Sequence, residues 1–150
     1  MCGFFGIGIY CPQHKENIGT LWRSAYQLGA TFVFTIGRPY QYQCSDTLAT
    51  TRRIPLYHYL DYKDFREHLP HDCQVVGIEM GGIELASFTH PQRCVYLLGA
   101  EDNGLPEHIQ LQCQHVVSLS AVRTMSFNVA VAGSIVMYDR FSKSPAKENE

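Results

Sequence analysis

Three short stretches of this 150-residue sequence carry side chains whose types and spacing could do chemistry. The first is ENIGTLWRSAYQLGA, in which Asn17 reads as the N-cap of a helix and Arg23, six residues on, projects from its second turn. The second is LLGAEDNGLP, where an apolar run enters a glycine turn that carries Glu101 instead of the third glycine or lysine of a phosphate binder. The third is RTMSFNVAVAGSIV, with Ser126 and Asn128 at the start of a helix. The free N–H groups of such a start favour an anionic or carbonyl-rich ligand. Taken singly, each has a structural reading: a capped helix with a surface cation, a turn with an acid, a plain cap.

The elements that must position these groups alternate along the chain. FFGIGIY (4–10), TFVFTI (31–36), a short run over 54–60, QVVGIE (74–79), VYLL (95–98) and HVVSL (115–119) read as strands. Ile18, Leu21, Trp22, Ala25 and Leu28 recur at helical spacing, with Gly29 as the stop. DYKDFREHL reads as an amphipathic helix, Gly81 and Gly82 as the close of the fourth strand, residues 83–88 as a helical turn, and 126–141 as the last helix. The sequence therefore predicts an α/β fold, one domain with a mostly parallel sheet and helices on both faces. That domain spans 1–142, with a polar tail over 143–150.

Composition narrows the function classes. A hydrophobic content of 45% and a charged content of 17% describe a globular chain. The net charge of −2 gives no global basic footprint for nucleic acid. Any such surface must be local, with Arg38, Arg52 and Arg53 as candidates beside the simpler reading of scattered arginines. Six spaced cysteines without a CxxC pair suit reduced thiols in a cytoplasmic protein. His68, His71 and Cys73 lack the spacing of a zinc site, so no metal is expected. The apolar N-terminus has no basic flank and is cut by Pro12, so it reads as a strand and not as a signal peptide. No segment approaches the roughly 20 apolar residues of a membrane span.

VAVAGSIVMY, within the last helix, has almost no polar face. An all-round apolar helix must be covered on more than one side. The first helix and the sheet could do this; a subunit interface, with Ala130, Ala132, Gly133 and Ser134 allowing close approach, is the expectation favoured here.

In this order and at these distances the three stretches resemble the SpoU (TrmH-like) branch of the SPOUT RNA methyltransferases, over almost the whole chain. N-I-G-x-x-x-R at 17–23 is similar to the family's first motif, G-x-E-x-x-G-L at 99–105 to its second, and S-F-N-V-A-V-A at 126–132 to its third. The resemblance implies a homodimer whose C-terminal part forms a deep trefoil knot. It implies S-adenosylmethionine bound in that knot and a ribose 2′-hydroxyl of RNA as acceptor, tRNA before rRNA. Arg23, Asn17, Glu101, Ser126 and Asn128 would be catalytic; Ile78, Leu98, Gly99, Gly104, Leu119, Ser126 and Asn128 would hold the cofactor. Glu101 is expected to meet Asn17 and Arg23 across the dimer.

The family pattern makes Arg23 a general base, but a guanidinium is always protonated, and a clamp on phosphate or alkoxide is an equally good role. The segment SLSAVRT (118–124) departs from the family's Ile-Pro-Met before the third motif, and Arg123 has no counterpart there. One rival is a non-catalytic RNA-binding protein on the same scaffold, which cofactor binding would separate. The other, a Rossmann enzyme, needs G-x-G-x-x-G after the first strand, where this chain has YCPQHKENIG.

Overall fold

The computed structural model describes residues 3–40, 53–123 and 126–144. Arg52, Cys2, Cys44 and the end of the tail lie outside these residues. Six strands form one sheet: β1 (Phe4–Tyr10), β2 (Phe32–Ile36), β3 (Leu56–Tyr59), β4 (Gln74–Glu84), β5 (Arg93–Leu98) and β6 (His115–Ser118). Their order is β3-β2-β1-β5-β4-β6, and every pairing is parallel. Helices α1 (Lys15–Gln27) and α4 (Val129–Lys143) cover one face, packing on Ile7, Ile9, Tyr96 and Leu98. Short helices α2 (Tyr62–Glu67) and α3 (Glu107–Gln110) cover the other, where Phe65 and Ile109 meet Phe34, Val95 and Leu97. Alternation along β5 thus feeds both cores, as a doubly covered strand requires.

Three expectations are corrected. α1 begins at Lys15 with His14 as its N-cap, so Asn17 lies inside the first turn and caps nothing in its own helix. The fourth strand does not close at the glycines: after a register break between Ile78 and Ile83 it rejoins β6 through Ile83 and Glu84. Gly81 takes φ +85°, and Gly82 runs so close to the Val116 carbonyl that a Cβ would lie 2.4 Å from it. Both glycines lie in the break, residues 79–82, which is left out of the ladder and re-aims the strand, and only Leu85–Ser87 form a helical turn. The last helix starts at Val129, leaving Ser126 and Asn128 ahead of it, and runs to Lys143.

The small residues of α4 are also used differently from expectation. A Cβ on Gly133 would lie 2.5 Å from Leu21 Cδ1, and Ser134 Oγ sits 2.9 Å from Ser24 Oγ. Ala130 is fully buried and Ala132 packs partly on the same core. They let α4 pack closely on α1 within one chain. What remains outside is a stripe of Val131, Ile135, Tyr138 and Phe141, the last two about 60% exposed.

The far end of α4 is tied down by charge. Arg140 donates to the carbonyls of Pro91 (2.7 Å) and Gln92 (3.0 Å) and to Tyr96 Oη (3.1 Å). Lys143 Nζ donates to the carbonyls of Leu85 (2.7 Å) and Phe88 (3.0 Å). His90 bridges Tyr96 Oη (2.6 Å) and Asp139 (2.8 Å). Burial holds its imidazole below the usual range despite the neighbouring carboxylate.

Candidate functional site

From β1 the chain builds β2 and β3 to one side, whereas β5, β4 and β6 lie on the other. The order therefore reverses between β1 and β5, and in open parallel sheets the crevice beyond the strand ends at that point is where ligands bind. The loop after β1 and the turn after β5 meet there. Glu101 Oε2 accepts from the Gln13 backbone N–H (3.1 Å), and Oε1 accepts from Asn17 Nδ2 (2.7 Å). Asn17 Oδ1 in turn accepts from Asn128 Nδ2 (2.9 Å), and Asn128 Oδ1 caps α4 by accepting from Ala130 N–H (3.0 Å) and Val131 N–H (3.2 Å).

The direction of this relay follows from its chemistry. An ionised carboxylate only accepts, so the Asn17 amide must turn its NH2 to Glu101 and its carbonyl to Asn128. Asn128 is left with its own carbonyl for the helix. Burial opposes ionisation of Glu101, but hydrogen bonds from Asn17 and from the backbone of residues 101, 13 and 14 outweigh it, and the carboxyl titrates below its ordinary range. The three sequence motifs thus converge through side chains 84 and 111 residues apart. The expectation of a Glu101–Asn17 contact across a dimer is corrected: it forms within one chain.

Gly99 and Gly104 shape the turn. A Cβ on Gly99 would lie 2.2 Å from the Gly104 carbonyl carbon, and Gly104 has φ +62° with Glu79 Oε2 2.4 Å from its would-be Cβ. Leu98 is a core residue, 2% exposed. Of the residues expected at the cofactor, Ile78, Leu119 and Ser126 do share one cavity of about 330 Å³. That is at the small end of ligand sites. Its other walls include Glu79, Met80, Val122, Arg123 and Phe127, so part of the divergent 118–124 segment forms the lining.

Glu79 is the residue that the sequence reading missed. Its carboxylate accepts from Leu105 N–H (2.7 Å) and Met80 N–H (2.9 Å), fastening β4 at its register break to the turn after β5. Its partners are backbone N–H groups, so no residue pattern points to it.

Arg23 stands apart. Six residues separate it from Asn17, which is about 120° around the helix. α1 buries Ile18, Leu21, Trp22 and Ala25, and Arg23 is exposed on the outward side. It makes no hydrogen bond or ion pair with the described residues. Among those residues no cluster of His, Cys, Asp and Glu could hold a metal ion, and Cys11, Cys73, Cys94 and Cys113 are free thiols. No helix among them is long and apolar enough to cross a membrane.

A doubly covered parallel sheet, a polar relay at its switch point and an apolar cavity alongside define an α/β protein built to handle a small organic ligand. The chain belongs to the SpoU rRNA Methylase family, whose profile matches residues 5–138. The fold agrees. A structure concerned with 2-OH methylation of C/U34 on tRNA superposes with a TM-score of 0.82 at 23% identity, covering 94% of this chain and 96% of that one. The SpoU methyltransferase AviRb from Streptomyces viridochromogenes, in complex with AdoMet, gives 0.83 at 22% identity over 95% of this chain. This chain spans only 58% of AviRb's length. The TrmH/SpoU tRNA modifying enzyme of A. aeolicus gives 0.80 at 14% identity, covering 93% of this chain and 74% of that one. A comparison with curated proteins returns no match.

Proposed function

We propose that this chain transfers a methyl group from S-adenosylmethionine to a ribose 2′-hydroxyl of RNA, with tRNA as substrate, and that it works as a cytoplasmic homodimer. The observation that carries the reading is the Glu101–Asn17–Asn128 relay ending beside the cavity that Ser126 and Phe127 help to line. The cavity suits the cofactor. Ile78, Leu119 and Phe127 offer apolar walls to an adenosine, and Glu79, Arg123 and Ser126 are the polar groups available to its charged end. On this reading the segment from β4 through α4 forms the trefoil knot of the family. The tRNA assignment draws on the neighbours named for tRNA chemistry.

When bound, the cofactor presents a methyl group on a sulfonium, which the ribose oxygen must approach in line. Asn128, held from behind by Asn17 and Glu101, orients the ribose. Ser126 precedes it on the same rim. Arg23 supplies a permanent positive charge to the forming alkoxide. Because it points away from Asn17 within one chain, it serves the site of a second copy, seated on the α4 stripe of Val131, Ile135, Tyr138 and Phe141.

The first test is a calorimetric titration with S-adenosylhomocysteine, followed by mapping of 2′-O-methyl groups on tRNA incubated with the protein and S-adenosylmethionine. Micromolar binding and a new 2′-O-methyl site are expected. Absence of binding at millimolar ligand would reject the methyltransferase reading and leave an RNA-binding scaffold.

A second test separates capping from positioning. Asn128→Ala should cost about 1 kcal/mol as a lost cap, or roughly 2–4 °C in melting temperature. It should lower turnover about a hundredfold through the mis-set ribose. A steep fall in melting temperature with normal turnover per folded molecule would reduce Asn128 to a cap.

A further inference from the structure

A second cavity, of about 380 Å³, opens on the other side of the relay. It lies between the segment after β1 and the loop after β2, and its walls include His14, Lys15, Glu16 and Arg38 between Pro12 and Pro39. Its frame is fixed by the backbone. Cys11, with φ +48°, donates from its N–H to the Ile36 carbonyl (2.8 Å), and Gly37 follows with φ +87°. A non-glycine residue held in the left-handed region persists only where its surroundings over-determine it. No side chain caps the first turn of α1, which opens here.

The two cavities are joined by one run of hydrogen bonds. The backbone of Gln13 and His14, in the wall of this second cavity, donates to Glu101. Glu101 accepts from Asn17 and Asn17 from Asn128, next to the Ser126–Phe127 rim of the first cavity. A ligand reaching from one cavity to the other must pass along that relay.

We infer that this second cavity seats a backbone phosphodiester of the RNA next to the ribose that is methylated; the inference rests on the function proposed above. Arg38 and Lys15 provide two cations against one carboxylate, Glu16, with His14 counted as neutral. Arg38 offers the planar donor fork suited to phosphate oxygens. The chain as a whole is mildly acidic, so a localised cation pair of this kind is where backbone contact would be concentrated. Phosphate contacts of this type set register without reading sequence.

The test compares the wild-type protein with Arg38→Glu, Lys15→Glu and a control, Lys63→Glu, which changes charge equally on the face covered by α2. Affinity for unfractionated radiolabelled tRNA is measured over a range of salt, with S-adenosylhomocysteine binding and melting temperature as checks on the fold. Arg38→Glu and Lys15→Glu should each weaken tRNA binding about tenfold and flatten the log–log salt slope by about one, with cofactor-product binding unchanged. Lys63→Glu should stay within about twofold, because Lys63 is not part of the cavity wall and is already paired with Glu67 at the surface. If the wild-type protein binds tRNA and Arg38→Glu leaves affinity and slope unaltered, the phosphate seat is wrong and the methyltransferase reading stands. If Lys63→Glu weakens binding as much as Arg38→Glu, the effect is one of net charge and the seat is again rejected. A wild-type protein that binds S-adenosylhomocysteine but no tRNA would remove the RNA reading and this inference together.

Discussion

Arg23→Ala is expected to lower methyl transfer about 100- to 1000-fold, the usual cost of removing one charge or donor from a developing oxyanion. S-adenosylhomocysteine should bind the variant as it binds the wild type, because Arg23 is not part of the cavity proposed for the cofactor. The Arg23 side chain ends in a guanidinium. It keeps its proton at any working pH, so it cannot abstract one from a ribose. It can lower the energy of an alkoxide as that charge forms. In this structure it is exposed, turned away from Asn17 and free of any partner among the described residues, which leaves its charge available to something outside its own chain. Single-turnover rates on tRNA supply the measurement. Mixing Arg23→Ala chains with Asn17→Ala chains locates the residue: if each site borrows its arginine, mixed dimers regain one intact site and part of the activity. A mixture as inactive as its components would return Arg23 to its own subunit, and full activity in Arg23→Ala alone would remove it from the mechanism.

The second large effect is on folding. Gly99→Ala should destabilise the protein by about 3 kcal/mol, the upper range for overpacking, and lower its melting temperature by roughly 6–12 °C for a chain of this size. The new methyl group would sit 2.2 Å from the Gly104 carbonyl carbon and 2.3 Å from the Leu105 nitrogen. Neither can retreat, since Gly104 N–H is bonded to the Ala100 carbonyl (2.9 Å) and Leu105 N–H to Glu79 (2.7 Å). Gly29→Ala is the comparison. Its Cβ would meet nothing within 4 Å, and only its φ of +90° is unfavourable, so about 1 kcal/mol is expected. Thermal denaturation of the two variants side by side decides the matter. Equal melting temperatures would mean that the turn has room that the structure does not give it.

Much of this arrangement is legible in the residue pattern, and what is not has identifiable causes. The strands show because each is a short β-forming run bounded by turn residues, and the helices that separate several of them point to a parallel sheet. The three motifs show because Asn, Glu and Ser-x-Asn stand at element boundaries. Asn17 misled as a cap because position in a sequence gives helix propensity and not partners. A carboxylate 84 residues away and an amide 111 residues away claim its side chain, and the helix starts at Lys15 without its help. The break at Gly81 and Gly82 reads as an end because glycine marks both an end and a re-aimed strand. The small residues of α4 gave no hint of which neighbour they approach: Gly133 faces Leu21 in its own chain. Glu79 escaped because its partners are backbone N–H groups, which no residue pattern displays.

α4 is fastened at both ends. Asn128 ties its first turn to Asn17, while Arg140 and Lys143 hold its last turns to the carbonyls of residues 85–92. Mechanically it is a beam on two supports, with its exposed apolar stripe along the span. Pressure on that stripe has no hinge in which to dissipate. It arrives at the Asn128 support, where a small tilt alters the angle at which Asn17 is gripped. The stiffness that keeps the relay in register also wires it to whatever leans on the helix from outside.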